Sequence, residues 1–240
     1  DRYGKISTMK IYRIFLFLLM ASATFAQEKT VQQIEITGLK RTKEGLIRKI
    51  IEVKPGTVLD SAAIKKDIER LKRMEPVAFA DFEVSQNADG SVKLVYKIVE
   101  NFTIIPGFNV FTTQNEEVAY RLSVFDFNFL GQNHIAGGFF LHDIFDSYGV
   151  YYEAPFLFSR SWGLSVNHIN NNSLEPVFFP GNTSDFKYSN STFEVFAIHQ
   201  PDFFNRFEFG ASYFQEEYDF ISSASEEPVP VTNVSGDHLG

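Results

Sequence analysis

Residues 126–167 read DFNFLGQNHIAGGFFLHDIFDSYGVYYEAPFLFSRSWGLSVN, and the alternation in this stretch decides the fold. Phe125, Phe127 and Phe129 alternate with Asp126 and Asn128. Leu130-Gly131-Gln132-Asn133 is a tight turn, and a strand over 134–142 follows. In 148–155, Val150, Tyr152 and Ala154 oppose Tyr151 and Glu153. In 161–169, Trp162, Leu164 and Val166 oppose Gly163, Ser165 and Asn167. A period of two marks strands, because successive side chains leave opposite faces of a pleated backbone.

Outward from this stretch the pattern continues. Segments 102–111, 117–129, 191–199 and 206–218 bring the number to seven, each near the ~9–11 residues that a tilted membrane strand needs. Within 117–129 the phase slips at Phe125, which a bulge explains. The connections 130–133, 155–160 and 200–205 are short, whereas 170–190 and the tail beyond Tyr218 read as long outward loops. Short turns on one side and long loops on the other, with apolar residues facing out and polar ones in, describe an outer-membrane β-barrel. Such a sheet closes, because a lipid-exposed edge leaves backbone groups unsatisfied. A soluble β-sandwich also alternates and stays open as the alternative.

Composition agrees with two differently solvated regions. The chain has 240 residues, a net charge of −8, no Cys and 27 Phe. From residue 102 onward there are 4 Lys+Arg against 17 Asp+Glu, a net of −13, together with 22 of the Phe. The acidic balance argues against nucleic acid as a partner. The absence of Cys excludes disulfides, thiolate metal sites and cysteine nucleophiles.

Residues 9–26 carry Lys10 and Arg13, then a short apolar run, then small residues ending at Ala26. This is the pattern of a secretory signal peptide. Residues 1–8 precede the only plausible start Met and read as upstream translation.

Residues 27–101 read as a small α+β module of order β-α-α-β-β. A strand over 31–36 ends at Gly38. Thr42 caps a helix to about Val53, with Leu46, Ile47, Ile50 and Ile51 as its apolar stripe. Pro55-Gly56 stops it. Asp60 or Ser61 caps a second helix with Ile64, Ile68 and Leu71 on its buried side. Strands over 79–85 and 92–99 form a hairpin through Asn87-Ala88-Asp89-Gly90.

This order, with Gly38, Pro55-Gly56, the Leu71 helix end and FADFEV opening the hairpin, resembles a polypeptide-transport-associated (POTRA) domain. DFNFLGQN followed by YGVYYEAPFLFSRSWGLSVN resembles the start of the barrel in the BamA/TamA surface-antigen family. Together the two cover nearly all of 31–218. The resemblance implies an α+β POTRA-like periplasmic module followed by the first strands of an antiparallel transmembrane β-barrel in the bacterial outer membrane. Only one such module is present, seven strands fall short of the family's barrel, and its later motifs are missing, so the chain reads as a truncated N-terminal part.

The resemblance further implies outer-membrane protein assembly, insertion or translocation. Its partners would be unfolded outer-membrane or secreted client proteins, outer-membrane lipid and periplasmic accessory proteins. The client edge of the module would be Phe79, Ala80, Asp81, Phe82, Glu83, Val84 and Ser85, since an unpaired edge offers main-chain donors and acceptors. A folding spacer with no client contact is the plainer reading. The lateral-gate first strand would carry Phe102, Ile104, Pro106, Gly107, Phe108, Val110 and Phe111. Pro106-Gly107 weakens its ladder, or simply marks the domain linker. A two-partner secretion pore, an enzyme carrier and a soluble β-rich binding module are the other readings. The residues present suggest no enzyme: the five His lack metal-ligand spacing, and no nucleophile or phosphate-loop motif occurs. Neither a metal nor another cofactor is expected.

Overall fold

The computed structural model describes residues 29–87, 91–112, 118–202, 204–224 and 231–240. The signal peptide, the residues before it, and Ala88, Asp89 and Gly90 of the expected hairpin turn lie outside the described residues.

The N-terminal module runs β1 (Val31–Thr37), α1 (Glu44–Ile50), α2 (Ser61–Leu71), β2 (Val77–Gln86) and β3 (Val92–Glu100). Its sheet has the order β1-β3-β2, with β1 parallel and β2 antiparallel to β3. Leu46, Ile47 and Ile50 of α1 and Ile64, Ile68 and Leu71 of α2 are buried against Leu94, Tyr96 and Ile98 of β3. Helical spacing puts those apolar residues on one stripe, and the sheet removes that stripe from water. Asp60 caps α2 by accepting from the Ala62 N–H at 2.8 Å. Thr42 does not cap α1, contrary to expectation. Lys43 holds that position with no side-chain cap bond, and the Thr42 hydroxyl is drawn instead to Asn128, whose amide donates to it at 3.0 Å. Gly38 sits at φ 88°, where a Cβ would stand 1.9 Å from the Ile98 carbonyl oxygen, so only glycine fits this strand end.

The rest is one antiparallel sheet in sequence order. Its strands are β4 (Ile104–Thr112), β5 (Val118–Phe129), β6 (His134–His142), β7 (Asp146–Ala154), β8 (Trp162–Phe179), β9 (Asn182–His199), β10 (Phe207–Ser223) and β11 (Asn233–Leu239). Direct pairing aligns side chains in rows. One row runs Val124, Gly138, Val150, His168, Phe193, Tyr213, Leu239. The row beside it on the opposite face runs Phe125, Gly137, Tyr151, Asn167, Glu194, Ser212. The first face also carries Phe108, Val110, Leu122, Val195 and Phe209, all solvent-exposed. An apolar band on one face and a mixed polar and aromatic face behind it are the two environments of a barrel wall.

Three sequence expectations need correction. Residues 170–190 are not a loop: β8 and β9 pair without interruption from Trp162↔His199 to Phe179↔Asn182, turning at Pro180-Gly181. Their outer halves carry polar residues on both faces, so strand periodicity fades although the ladder continues. Asn172 and Ser189 hydrogen-bond across the pair at 2.7 Å. An eighth strand, Asn233–Leu239, pairs with Tyr213–Asp219 of β10 where a loop was expected. The β5 irregularity falls between the Asp126 and Phe129 pairs rather than at Phe125, because the Asp126 carboxylate takes the Asn128 N–H at 3.0 Å.

Candidate functional site

Among the described residues four strands are sheet edges, β1 and β2 in the module and β4 and β11 in the large sheet, and of these β2 and β4 begin where the two domains meet. The register of β2 is Phe79↔Val99, Ala80↔Ile98, Asp81↔Lys97, Phe82↔Tyr96, Glu83↔Val95, Val84↔Leu94 and Ser85↔Lys93. Ala80 points into the core, while Phe79 is 51% and Val84 44% exposed. Lys72 lies over the Phe79 ring at 5.8 Å, and Glu83 pairs with Lys97. Asp81 Oδ1 accepts from the Phe82 N–H at 2.8 Å, so a side chain covers one main-chain donor of this edge strand. The opposite edge, β1, is met by 56–59 at its start only: the Val31 N–H donates to the Thr57 carbonyl at 2.9 Å and the Gly56 N–H to the Val31 carbonyl at 2.7 Å.

In the large sheet the edge beside the module is β4, joined to β3 by only 101–103, and the far edge is β11. It pairs with β5 from Ile104↔Asp126 to Thr112↔Val118. Pro106, opposite Val124, has no N–H to give, and Gly107 follows it. Ile104, Phe108, Val110 and Phe111 are exposed, Phe108 to 67%. Phe102 is not on this strand: it stands in the link, where its N–H is taken by the Asn101 side chain at 3.1 Å.

A cavity of about 540 Å³ separates α2 from the turns of the large sheet, with Lys66, Arg70, Arg73, Arg160 and Arg206 in its wall. Glu52 binds Arg70 at 2.7 Å and Arg160 at 3.4 Å, and Glu153 binds Arg206 at 2.9 Å. The Arg70 hydrogen bond holds the Glu52 carboxyl below its usual range, although burial opposes it. Arg70, Arg160 and Arg206 are thus each paired with a carboxylate of the protein itself.

Among the described residues no group of three His, Asp or Glu side chains is placed to hold a metal. Sequence reasoning passed over one pair four residues apart: His142 Nδ1 and Asp146 Oδ1 meet at 2.6 Å across the β6–β7 turn. Glu216 and Glu217 sit in successive ladder pairs, opposite Asn190 and Ser189, and so on opposite faces. No described helix is long and apolar enough to cross a membrane, which says nothing of strands.

The comparisons fit this geometry. The family model described as POTRA, surface antigen variable number repeat, matches residues 29–101. Residues 29–101 are a POTRA domain. Beyond it the fold is that of a barrel start. The crystal structure of BamA from Haemophilus ducreyi lacking POTRA domains 1–3 superposes at a TM-score of 0.66 and 17% identity. That match covers 89% of this chain and 43% of the other. CdiB from Acinetobacter baumannii superposes at a TM-score of 0.49 and 14% identity, covering 89% of this chain and 42% of CdiB. No curated protein matches by sequence. In fold the chain thus resembles that BamA structure, with a POTRA domain followed by part of an antiparallel barrel sheet, and it spans under half of that structure's length.

Proposed function

We propose that this chain is part of an outer-membrane assembly or translocation component. It takes up unfolded client strands by strand addition, at β2 of the POTRA domain and at the seam edge β4. The observation that carries the proposal is an edge strand in each domain, β2 and β4, that begins at the domain junction and is paired on one side only among the described residues. An extended segment gains main-chain hydrogen bonds at such an edge with little demand on its sequence, which suits a component that handles many clients. The exposed band of Phe108, Val110, Leu122, Val150 and Phe209 supports placement in lipid, with the POTRA domain in the periplasm. Outer-membrane lipid is then the partner of that band. Periplasmic accessory proteins are further partners under this reading.

The test is site-specific photo-crosslinking in the native protein in its membrane. A benzophenone side chain replaces Phe79, Val84 or Phe108, with Val150 on the lipid face as control. Client adducts at Phe79, Val84 and Phe108 and none at Val150 are the expected outcome. Adducts at none of the three edge positions during active client assembly would sink the proposal.

A further inference from the structure

The Asp-x-Asn and Leu-Gly elements of the β5–β6 turn have a use that no lipid or lumen contact accounts for. They dock onto the POTRA loop between β1 and α1. Asn128 and Thr42 are almost fully buried, and the Asn128 amide donates to Thr42 Oγ1 at 3.0 Å. The Lys43 N–H donates to the Gly131 carbonyl at 2.8 Å. Gly131 itself, at φ 70°, would place a Cβ 2.2 Å from the Arg41 carbonyl oxygen, so the two loops touch backbone to backbone.

Arg41 is the centre of this joint. Its main-chain N–H and that of Thr42 both donate to the Glu100 carboxylate at 2.8 Å. One arm of its guanidinium donates to Thr103 Oγ1 at 2.7 Å and the other to Asp126 Oδ2 at 2.8 Å. Thr103 in turn donates to Asp126 Oδ1 at 2.8 Å, and its carbonyl takes the Phe127 N–H at 2.9 Å. Thr103 immediately precedes β4, and Asp126 faces Ile104, the first residue of β4. The fork of one POTRA arginine therefore grips both strands of the first hairpin at their root. A guanidinium suits this role because its donors are fixed in one plane.

The other end of β4 has no such support. Asn109, Val110, Phe111 and Thr112 are exposed and pair only with β5 among the described residues. Between the gripped root and this outer part stands Pro106-Gly107: the missing N–H of Pro106 lies on the open-edge side of β4, since its pair with Val124 is a non-hydrogen-bonded one, and at Gly107 no side chain stiffens the backbone.

We propose that Arg41, Thr103 and Asp126 form a root clamp on β4. The periplasmic end of the seam strand stays closed on β5, and strand exchange at the seam is confined to Phe108–Thr112, beyond a hinge at Pro106-Gly107. The clamp stands on the geometry alone; its role in client uptake rests on the function proposed above. Arg41 is a positioning residue here: it acts through Thr103 and Asp126 and touches no client.

The test is residue-resolved hydrogen exchange on the full chain in membranes, in wild type, Arg41→Gln and Arg41→Lys. In wild type the Ile105 amide, which faces β5, exchanges at least about tenfold more slowly than that of Phe111, which also faces β5, the effect of one or two net hydrogen bonds. Arg41→Gln removes that difference and leaves 162–166 unchanged; Arg41→Lys, a point charge without the fork, keeps part of it. Equal exchange at both ends of wild-type β4, or an unchanged root in Arg41→Gln, overturns the clamp. Should Arg41→Gln fail to assemble, the wild-type difference and the lysine variant still decide. Photo-crosslinkers at Ile104 and Phe108 separate the two claims. Adducts at Phe108 alone support both. Adducts at Ile104 as strong as at Phe108 overturn the clamp. An exchange gradient without adducts at either position keeps the clamp and removes the client reading.

Discussion

The Tyr96 hydroxyl donates to Asp67 Oδ2 at 3.0 Å beneath α2, where both side chains are cut off from solvent. Burial, and then the Asp67 carboxylate beside it, push the phenol well above its ordinary range, so it stays a donor. Asp67 also takes the Glu52 N–H at 2.7 Å, the Val53 N–H at 3.0 Å and Arg70 at 3.2 Å. One carboxylate thus ties the exit of α1, helix α2 and the sheet together.

Removing it strands several donors. Asp67→Ala is expected to destabilise the POTRA domain by about 3–5 kcal/mol, whereas Tyr96→Phe, which leaves Asp67 its other donors, costs about 1 kcal/mol. Helical circular dichroism reports on this domain, because both described α-helices lie in it. Thermal unfolding that gives equal losses for the two variants would refute the ranking.

Acid loosens the joint through Glu100. Burial alone would raise its carboxyl, but the N–H groups of Arg41, Lys40 and Thr42 outweigh that and hold it below its ordinary 4.5. A depressed folded pKa gives stability that is full above the unfolded value and lost as pH falls through the folded one. The POTRA helix signal should therefore weaken to heat below about pH 4.5. Glu100→Gln should flatten that dependence. An identical acid profile in both proteins would show that Glu100 is not responsible.

Glycines divide by what stands beside them. A Cβ on Gly137 would come within 2.5 Å of the Phe125 ring and 2.4 Å of the Val124 carbonyl oxygen, so Gly137→Ala forces the strands apart. Gly45, in the first turn of α1, has nothing within 4 Å. Gly137→Ala is expected to destabilise the sheet by about 1–3 kcal/mol. Gly45→Ala should stabilise the module by about 0.5–1 kcal/mol. Denaturant midpoints of the two variants check both signs.

The two faces of the sheet should answer differently to charge. Val150→Arg on the apolar face is expected to cost about 2–4 kcal/mol in a bilayer, and Asn167→Arg on the opposite face should be tolerated. Folding yield into lipid vesicles measures this, and equal yields would contradict the assignment of faces.

Asp81 regulates access to β2 if its bond to the Phe82 N–H matters. Asp81→Ala frees that donor, and client adducts at Val84 should rise several-fold, in line with one net hydrogen bond of about 1 kcal/mol. Unchanged adducts would mean that the bond gives way at no cost.

Much of this architecture is written in local pattern. The helices α1 and α2 follow from a 3.6-residue apolar stripe, and the strands near the apolar band follow from alternation, because in each case one face meets water and the other does not. Where that contrast fades the sequence is silent. The outer halves of β8 and β9 are polar on both faces, so the ladder through Asn172 and Ser189 left no periodicity to read. The Asp67 site was hidden for a related reason: an acidic residue in a helix reads as a solvent-facing one until its donors are placed around it.

Residue order alone thus settled both helices of the module, the strands along the apolar band and which face of each is apolar, and that a POTRA-like module precedes a barrel sheet. Local periodicity reflects burial, and burial is set residue by residue. Which strands end as sheet edges, and the joint of Arg41 with Thr103 and Asp126, depended on the tertiary structure. Arg41 and Asp126 are 85 residues apart, and no local pattern records that their side chains meet at 2.8 Å. Hydrogen bonds of that kind depend on where whole elements come to rest, which packing decides and periodicity does not.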